Sequence, residues 1–123
     1  MEAKPILIVD DTNNILVTVS KALEKLGLPV ETTAYAEDAL LRLGRAEYAL
    51  VLLDLELWGM SGLDMLQRMR ELHPDVPVAI ITAYGNPENE AEARRLGAAD
   101  FIVKPFSPKE IRERVAKVLS LVS

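Results

Sequence analysis

Five short apolar segments recur along the chain, and a stretch with the spacing of an amphipathic helix follows each of them. The apolar segments are residues 6–9, 30–34, 48–53, 78–81 and 99–103. The helical stretches are residues 13–26, 37–43, 62–72, 87–96 and 108–121. Continuous apolar runs of strand length are typical of parallel strands buried on both faces. The alternation therefore predicts five βα units, an α/β fold whose parallel sheet lies between two layers of helices.

Local signals mark several of the predicted element ends. Gly27 and Gly97 follow helical stretches, as expected of residues that end helices. Residues 86–87 (Asn-Pro) and 107–110 (Ser-Pro-Lys-Glu) have the pattern of helix N-termini, the second with a capping box. The segment 30–34 is more polar than the other four and suits the edge of a sheet.

The composition fits one globular domain and excludes several classes of function. The chain has 123 residues, half of them apolar, and a net charge of −5. This charge disfavours direct binding of nucleic acid, which needs clustered lysine and arginine. Without cysteine, the chain forms neither a disulfide nor a thiolate metal site. Because no apolar run is long enough for a membrane span or a signal peptide, we expect a single cytoplasmic domain over residues 1–123. No output domain is visible in these residues, and whether they are a whole protein or a part of a longer one stays open.

Polar residues stand where four of the predicted strands end. Asp10 and Asp11 follow the first strand, Asp54 the third, Thr82 the fourth and Lys104 the fifth. The carboxyl ends of parallel strands meet at one edge of the sheet, where ligands bind in open α/β folds. Since burying a carboxylate is costly, we expect Asp54 at the exposed tip of its strand. The five side chains are predicted to converge on one site.

Three converging carboxylates require positive charge. Two carboxylates about 5 Å apart repel each other by roughly 3 kcal/mol at an effective dielectric constant of about 20. Lys104 supplies one positive charge, and a hard divalent cation such as Mg²⁺, which prefers carboxylate, water and phosphate oxygens, can supply the rest. A carboxylate can also act as a nucleophile and form an aspartyl phosphate. The hydroxyl and ammonium groups would then bind the remaining phosphoryl oxygens.

Five motifs around these positions occur in a distinctive order. They are residues 6–11 (Ile-Leu-Ile-Val-Asp-Asp), 52–55 (Leu-Leu-Asp-Leu), 60–62 (Met-Ser-Gly), 81–83 (Ile-Thr-Ala) and 96–106 (Leu-Gly-Ala-Ala-Asp-Phe-Ile-Val-Lys-Pro-Phe). In this order and spacing, the chain resembles the receiver domain of response regulators in two-component systems and phosphorelays, such as the chemotaxis regulators. The resemblance covers essentially the whole chain. It implies a flavodoxin-like fold, a doubly wound five-stranded parallel sheet of strand order 2-1-3-4-5.

The resemblance also implies a role for each charged residue of the site. Asp54 would accept a phosphoryl group. Asp11 and Asp54 would bind Mg²⁺ (or Mn²⁺) directly, together with the backbone carbonyl of Glu56. Asp10 would act through a metal-bound water, and Lys104 would pair with the phosphoryl oxygens.

A conformational switch is a further implication of the resemblance. Thr82 would hydrogen-bond the phosphoryl group and move toward it, and the ring of Phe101 would turn inward as Thr82 moves. The peptide bond between Lys104 and Pro105 would be cis, as in this family. The switch surface would be formed by the fourth helix, the fifth strand and the fifth helix. It comprises residues 84–96, 101 and 111–117.

Three residues near the site bear on its rigidity and on the lifetime of the phosphoryl group. Trp58 stands where the family usually has proline, so the loop after the third strand loses a fixed φ angle. Glu56 and Tyr84 occupy positions that tune autodephosphorylation in the family. Because Tyr84 is placed to shield the phosphoryl group from water, we expect that group to persist for minutes or longer.

The implied partners are proteins. A histidine kinase or a histidine phosphotransfer protein would donate the phosphoryl group, and a downstream effector or output domain would bind the switch surface. Neither a nucleic acid nor a membrane is an expected partner, and the chain would be a monomer or a phosphorylation-dependent dimer. Ile15, Val19 and Ala22 share one face of the first helix, which suits either docking of the donor helix or core packing.

Two other functions stay open at this stage. A phosphorylation-independent binding module would keep the fold without the chemistry. A haloacid-dehalogenase-like, Mg²⁺-dependent phosphatase also uses an aspartyl nucleophile, and Glu56 lies two residues after Asp54, where that class has a second acid. In that class the nucleophile follows the first strand, whereas Asp54 follows the third. The receiver interpretation implies no enzyme activity beyond self-phosphorylation from a phosphodonor and autodephosphorylation.

Overall fold

The computed structural model describes residues 4–57 and 59–122, so Trp58 and its effect on the loop lie outside the described residues. Within them, strands and helices alternate in the predicted order. The strands are β1 (Ile6–Val9), β2 (Val30–Thr33), β3 (Leu50–Asp54), β4 (Val78–Thr82) and β5 (Asp100–Val103). The helices are α1 (Asn13–Glu24), α2 (Ala36–Leu43), α3 (Gly62–Leu72), α4 (Pro87–Arg95) and α5 (Pro108–Val122). None of the described helices is long and apolar enough to cross a membrane.

The strands form one sheet in the order β2-β1-β3-β4-β5, and every neighbouring pair is parallel. This confirms the flavodoxin-like fold. The polar strand β2 lies at an edge of the sheet, as its composition predicts. The winding of the chain reverses between β1 and β3, and in such sheets ligands bind at the carboxyl ends of the strands beside the reversal.

Helices cover both faces of the sheet, and successive side chains of each strand point to opposite faces. Leu7 and Val51 belong to an apolar cluster with residues of α2, α3 and α4. Ile8 and Leu52 belong to a second cluster with residues of α1 and α5. Because both faces are packed, β1, β3 and β4 are buried along their whole length, which explains their continuous apolar sequences.

The apolar stripe of α1 is part of the core. Val19 is 0% exposed and Ala22 is 4% exposed, and both lie in the cluster shared with α5. Ile15 packs against the same cluster and is partly buried. Core packing is therefore the correct interpretation for Val19 and Ala22, which cannot form a docking face, whereas Ile15 stays partly exposed.

Several element ends differ from the predicted ones because hydrogen bonds extend or shorten the elements. β3 and β4 each continue one residue beyond their apolar runs, to Asp54 and Thr82, which still pair with the neighbouring strand. α1 ends at Glu24, because the N–H of Gly27 donates to the Glu24 carbonyl (3.1 Å) in a turn where Gly27 has a φ of +79°.

The predicted helix N-termini are confirmed. The side chain of Asn86 accepts a hydrogen bond from the N–H of Asn89 (2.8 Å) at the start of α4. At the start of α5, Ser107 and Glu110 exchange both bonds of a capping box, at 3.0 and 3.2 Å. These caps satisfy backbone donors that have no partner within the helix.

Candidate functional site

The polar residues that end the strands meet at the carboxyl edge of the sheet. Val9 of β1 lies opposite Leu53 of β3, so Asp10 and Asp54, one residue further along, sit side by side. Thr82 ends the next strand, β4, and Lys104 follows β5. The convergence is therefore a direct result of the parallel sheet and its strand order.

Lys104 joins the two buried carboxylates. Its ammonium group donates hydrogen bonds to Oδ2 of Asp10 (2.8 Å) and to Oδ2 of Asp54 (3.1 Å). The backbone N–H of Lys104 donates to the carbonyl of Thr82 (2.7 Å), which fixes the lysine beside β4. The peptide bond between Lys104 and Pro105 is cis, as the family resemblance implies.

The expectation that Asp54 lies at an exposed strand tip is wrong. Asp54 is only 3% exposed, and Asp10 is 0% exposed. Both oxygens of Asp54 are covered by donors, since the N–H of Glu56 donates to Oδ1 (3.1 Å) and Lys104 donates to Oδ2. Hydrogen bonding and an ion pair thus allow a carboxylate to be buried at the end of an apolar strand.

The electrostatics of the site follow from this burial. Burial raises the pKa of Asp54 to about 6; the Glu56 N–H and the Lys104 ammonium oppose the rise, and the charge of Asp10 adds to it. Burial alone would lower the pKa of Lys104, but its contacts with Asp10 and Asp54 raise it. Lys104 is therefore a stable cation, and Asp54 is a carboxylate whose negative charge is only partly compensated.

Three carboxylates at this edge form a set that fits a metal ion. Asp10, Asp11 and Asp54 each offer an oxygen, and these oxygens all lie within 4.8 Å of one another. Asp11 is exposed, whereas the other two are buried. Three carboxylates and one ammonium leave an excess of negative charge, and a donor set made only of oxygen suits a hard divalent cation.

Thr82 lies at the same edge and is wholly buried, but its hydroxyl is bonded to Glu56. The hydroxyl donates to Oε1 of Glu56 (2.6 Å), and its oxygen accepts from the N–H of Tyr84 (3.0 Å). Sequence reasoning missed this contact. The available signal was that Thr82 ends β4 and Glu56 follows β3, two strands that pair side by side.

Two aromatic residues near the site, one predicted to take part in the switch and one predicted to shield the phosphoryl group, are placed differently. Phe101 is 4% exposed and lies in the core cluster with residues of α3 and α4, so its ring already points inward. Tyr84 is 65% exposed. Because the Phe101 ring is already buried, the predicted inward turn is wrong for this structure. A role of Phe101 in switching and of Tyr84 in shielding stays a prediction.

Gly62 permits a close contact that holds the site together. A Cβ at this position would lie 2.4 Å from the carbonyl oxygen of Asp54 and 2.4 Å from Cα of Leu55. The N–H of Gly62 donates to the carbonyl of Leu55 (2.8 Å). The first turn of α3 therefore packs directly on the end of β3, and only glycine fits there. The Met-Ser-Gly motif indicated this position, but sequence reasoning did not give its physical reason.

The family of the chain follows from comparison with known proteins. A family model described as the response regulator receiver domain matches residues 6–116. The chain is a response regulator receiver domain. Its fold and its cluster of three acidic residues are those that the resemblance in the sequence implies.

Relatives of this receiver domain differ greatly in length. Sporulation initiation phosphotransferase F of Bacillus subtilis is 37% identical over 123 residues, covering 100% of this chain and 99% of that protein. The regulatory protein LuxO of Vibrio cholerae is 35% identical over 94% of this chain. The alginate biosynthesis transcriptional regulatory protein AlgB of Pseudomonas aeruginosa is 40% identical over 94% of this chain. The chain spans only 25% and 26% of the lengths of LuxO and AlgB.

Solved structures of receiver domains have the same fold. A CheY-like receiver domain protein from Methanospirillum hungatei has a TM-score of 0.91 and 31% identity, covering 98% of this chain and 97% of that chain. A response regulator from Thermotoga maritima has a TM-score of 0.88 and 32% identity, covering 96% of this chain and 98% of that chain.

On this receiver domain, ion pairs link the elements of the predicted switch surface. Arg114 of α5 donates two hydrogen bonds to the carboxylate of Asp100 in β5, and Arg94 of α4 lies 3.7 Å from the same carboxylate. Although burial opposes it, these hydrogen bonds and charges lower the pKa of Asp100. The ring of Tyr84 and the side chain of Val103 are exposed nearby, at 65% and 44%.

Proposed function

We propose that Asp54 is the phosphoacceptor of a cytoplasmic receiver domain. It would take a phosphoryl group from a phosphohistidine of a histidine kinase or a histidine phosphotransfer protein. The observation that carries this proposal is the Lys104 ammonium held between the buried carboxylates of Asp10 and Asp54. In this arrangement the Asp54 carboxylate can act as the nucleophile, and the adjacent Lys104 ammonium can bind phosphoryl oxygens.

The transfer would be a displacement at phosphorus. A carboxylate oxygen of Asp54 forms a bond to phosphorus while the bond between phosphorus and the donor imidazole nitrogen breaks. The nitrogen keeps the electron pair and takes a proton from solvent. Lys104, already within hydrogen-bonding distance of Asp54, would bind a phosphoryl oxygen and balance its charge. The burial of Asp54 would limit the access of water to the reacting atoms.

The carboxylates of this chain would hold a divalent cation during the transfer. Asp11 and Asp54 would be direct ligands with the backbone carbonyl of Glu56, and Asp10 would act through a water. Mg²⁺, with Mn²⁺ as an alternative, supplies positive charge that offsets the charge of the carboxylates and the phosphoryl oxygens. The oxygens of Asp10, Asp11 and Asp54, all within 4.8 Å of one another, support this assignment.

Phosphorylation would act through a change of population between two conformations. Thr82 would move to the phosphoryl group, and Phe101 would follow within the core. The surface formed by α4, β5 and α5 would then bind a downstream effector, an output domain or a second copy of the chain. Phe101 is a residue of β5 whose side chain packs in the core cluster, and this position supports the path.

A small phosphodonor tests the proposal without a partner protein. The chain is incubated with acetyl phosphate and Mg²⁺, and its intact mass is measured. We expect one phosphoryl group on the unmodified chain, none on Asp54→Asn and a marked loss of labelling in Lys104→Ala or in EDTA. Asp75→Asn changes an exposed aspartate outside the site and is the matched control, with labelling unchanged. Equal labelling of Asp54→Asn would refute the proposal, and no labelling of the unmodified chain would favour a phosphorylation-independent binding module.

A phosphatase acting on other molecules has less support. The match to the receiver family over residues 6–116 argues against it. In addition, Glu56 stands where a haloacid-dehalogenase-like phosphatase has its second acid, and Oε1 of Glu56 accepts a hydrogen bond from Thr82.

A further inference from the structure

The hydroxyl proton of Thr82 is already used in a hydrogen bond in the structure. A threonine hydroxyl has one proton to donate, and this proton is directed to Oε1 of Glu56, 2.6 Å away. The oxygen also accepts from the N–H of Tyr84 (3.0 Å). Because Thr82 is 0% exposed, its hydroxyl has no access to solvent. Thr82 cannot donate to a phosphoryl oxygen until it leaves Glu56.

Glu56 is hydrogen-bonded to the phosphoacceptor through its backbone, and the residue is exposed to solvent. Its N–H donates to Oδ1 of Asp54 (3.1 Å), so its backbone follows any change at that carboxylate. The residue is exposed, and in the part of the chain that the structure describes its carboxylate forms no ion pair. A carboxylate in this position can turn into water at little cost in solvation. A phosphoryl group on Asp54 would bring a second negative charge close to it and favour that release.

We propose that the carboxylate of Glu56 is a latch, a positioning residue that holds the Thr82 hydroxyl in its resting orientation and opposes activation. The inference rests on the proposed function of Asp54. In the resting protein, the bond to Glu56 lowers the population of the conformation in which Thr82 faces the phosphoryl site. Arrival of the phosphoryl group breaks this bond, and Thr82 then donates to a phosphoryl oxygen instead.

The side-chain rotamer of Thr82 tests the latch without any ligand. Three-bond NMR couplings to its methyl carbon report the χ1 angle. We expect a single rotamer in the unmodified chain, averaging between rotamers in Glu56→Ala, and a single rotamer again in Glu56→Gln, whose amide oxygen still accepts the bond. Glu71→Ala, at an exposed position on α3, is the matched control and should leave the couplings unchanged. A single unchanged rotamer in Glu56→Ala would overturn the proposal.

A double-mutant cycle on the binding of beryllofluoride, a phosphoryl mimic, with Mg²⁺ tests the consequence for activation. In the unmodified chain, the hydrogen bond from Thr82 to the charged Glu56 must be broken before beryllofluoride binds. Glu56→Ala removes this bond and should therefore tighten beryllofluoride binding about tenfold. In a Thr82→Val background the same substitution should change the affinity by less than about twofold, because the bond is already absent. An equal gain in both backgrounds would mean that Glu56 acts through its charge alone, and the latch would be rejected.

The two measurements separate the latch from the proposed function. If the unmodified chain fails to bind beryllofluoride, the proposed role of Asp54 is contradicted, whereas the rotamer of Thr82 still decides the latch. If the chain binds beryllofluoride and the cycle shows no coupling between Glu56 and Thr82, only the latch fails.

Discussion

At the residue scale, the main feature is a carboxylate buried with incomplete compensation of its charge. Asp54 is 3% exposed, and burial raises its pKa to about 6 despite the hydrogen bonds from Glu56 and Lys104. Ionised Asp54 is therefore destabilising in the metal-free protein. Binding of a cation next to the carboxylate therefore stabilises a folded protein with a site of this kind.

Replacing Asp54 by asparagine should stabilise the metal-free protein in a pH-dependent way. The pKa of Asp54 in the folded protein lies above its value of about 3.9 in the unfolded chain. Ionisation of Asp54 therefore costs no folding stability below about pH 4 and lowers the free energy of unfolding by its full amount above about pH 6. In EDTA at pH 8, we expect Asp54→Asn to be more stable by about 3 kcal/mol. At pH 4 the difference should vanish. Urea unfolding at both pH values measures it, and equal stability of the two chains at pH 8 would contradict the electrostatic account.

We expect the exposed tyrosine after β4, Tyr84, to lengthen the lifetime of the phosphoryl group. We predict a lifetime of minutes or longer in the unmodified chain and a severalfold shorter one in Tyr84→Ala, since water would reach the phosphorus more easily. The decay of the acyl phosphate after removal of the donor measures both. Tyr35→Ala is the matched control, because Tyr35 is 64% exposed, like Tyr84 at 65%, and precedes α2 at the same edge of the sheet. Loss of the phosphoryl group within seconds in the unmodified chain would reject the shielding role.

At the scale of elements, the site depends on how closely α3 approaches the end of β3. Gly62→Ala would place a Cβ within 2.4 Å of the Asp54 carbonyl oxygen, so backbone has to move. We expect a loss of about 3 kcal/mol in the free energy of unfolding. The extent of phosphorylation by acetyl phosphate should also fall, since Asp54 moves with the strand. Chemical denaturation and intact mass measure the two effects.

A second glycine provides the control for this substitution. Gly44 ends α2 with a φ of −77°, and a Cβ there would only meet carbonyl oxygens at 3.5 and 3.8 Å, which is ordinary contact. Gly44→Ala should therefore be neutral or stabilise the folded protein by about 0.5 kcal/mol, because alanine lowers the conformational entropy of the unfolded chain. Similar losses of stability in both variants would show that the contact of α3 with β3 is not what makes Gly62 necessary.

At the scale of the whole molecule, the sheet explains why residues far apart in sequence form one site. Asp10 and Lys104 are separated by 94 positions and lie 2.8 Å apart, because β1 and β5 run parallel and end at the same edge. The five βα units and this convergence could be predicted from the sequence, since apolar strands, helix caps and strand-end polar residues are local signals. The strand order came from the family resemblance.

Other features depend on contacts that no local pattern encodes. The burial of Asp54 arises because Glu56 and Lys104 cover its two oxygens, and Lys104 is fifty positions away. The bond between Thr82 and Glu56 requires β3 and β4 to be neighbours and both side chains to turn toward each other. The stripe on α1 could equally be surface or core until the position of α5 was known.

The central claim is that Asp54, and no other carboxylate of the site, accepts the phosphoryl group. The chain is phosphorylated with acetyl phosphate and Mg²⁺, reduced with borohydride, which converts an aspartyl phosphate to homoserine, and digested for peptide mass spectrometry. We predict homoserine at position 54, with Asp10 and Asp11 unchanged. Homoserine at position 10 or 11, or an unmodified peptide around Asp54 in a chain that carries the label, would contradict the account.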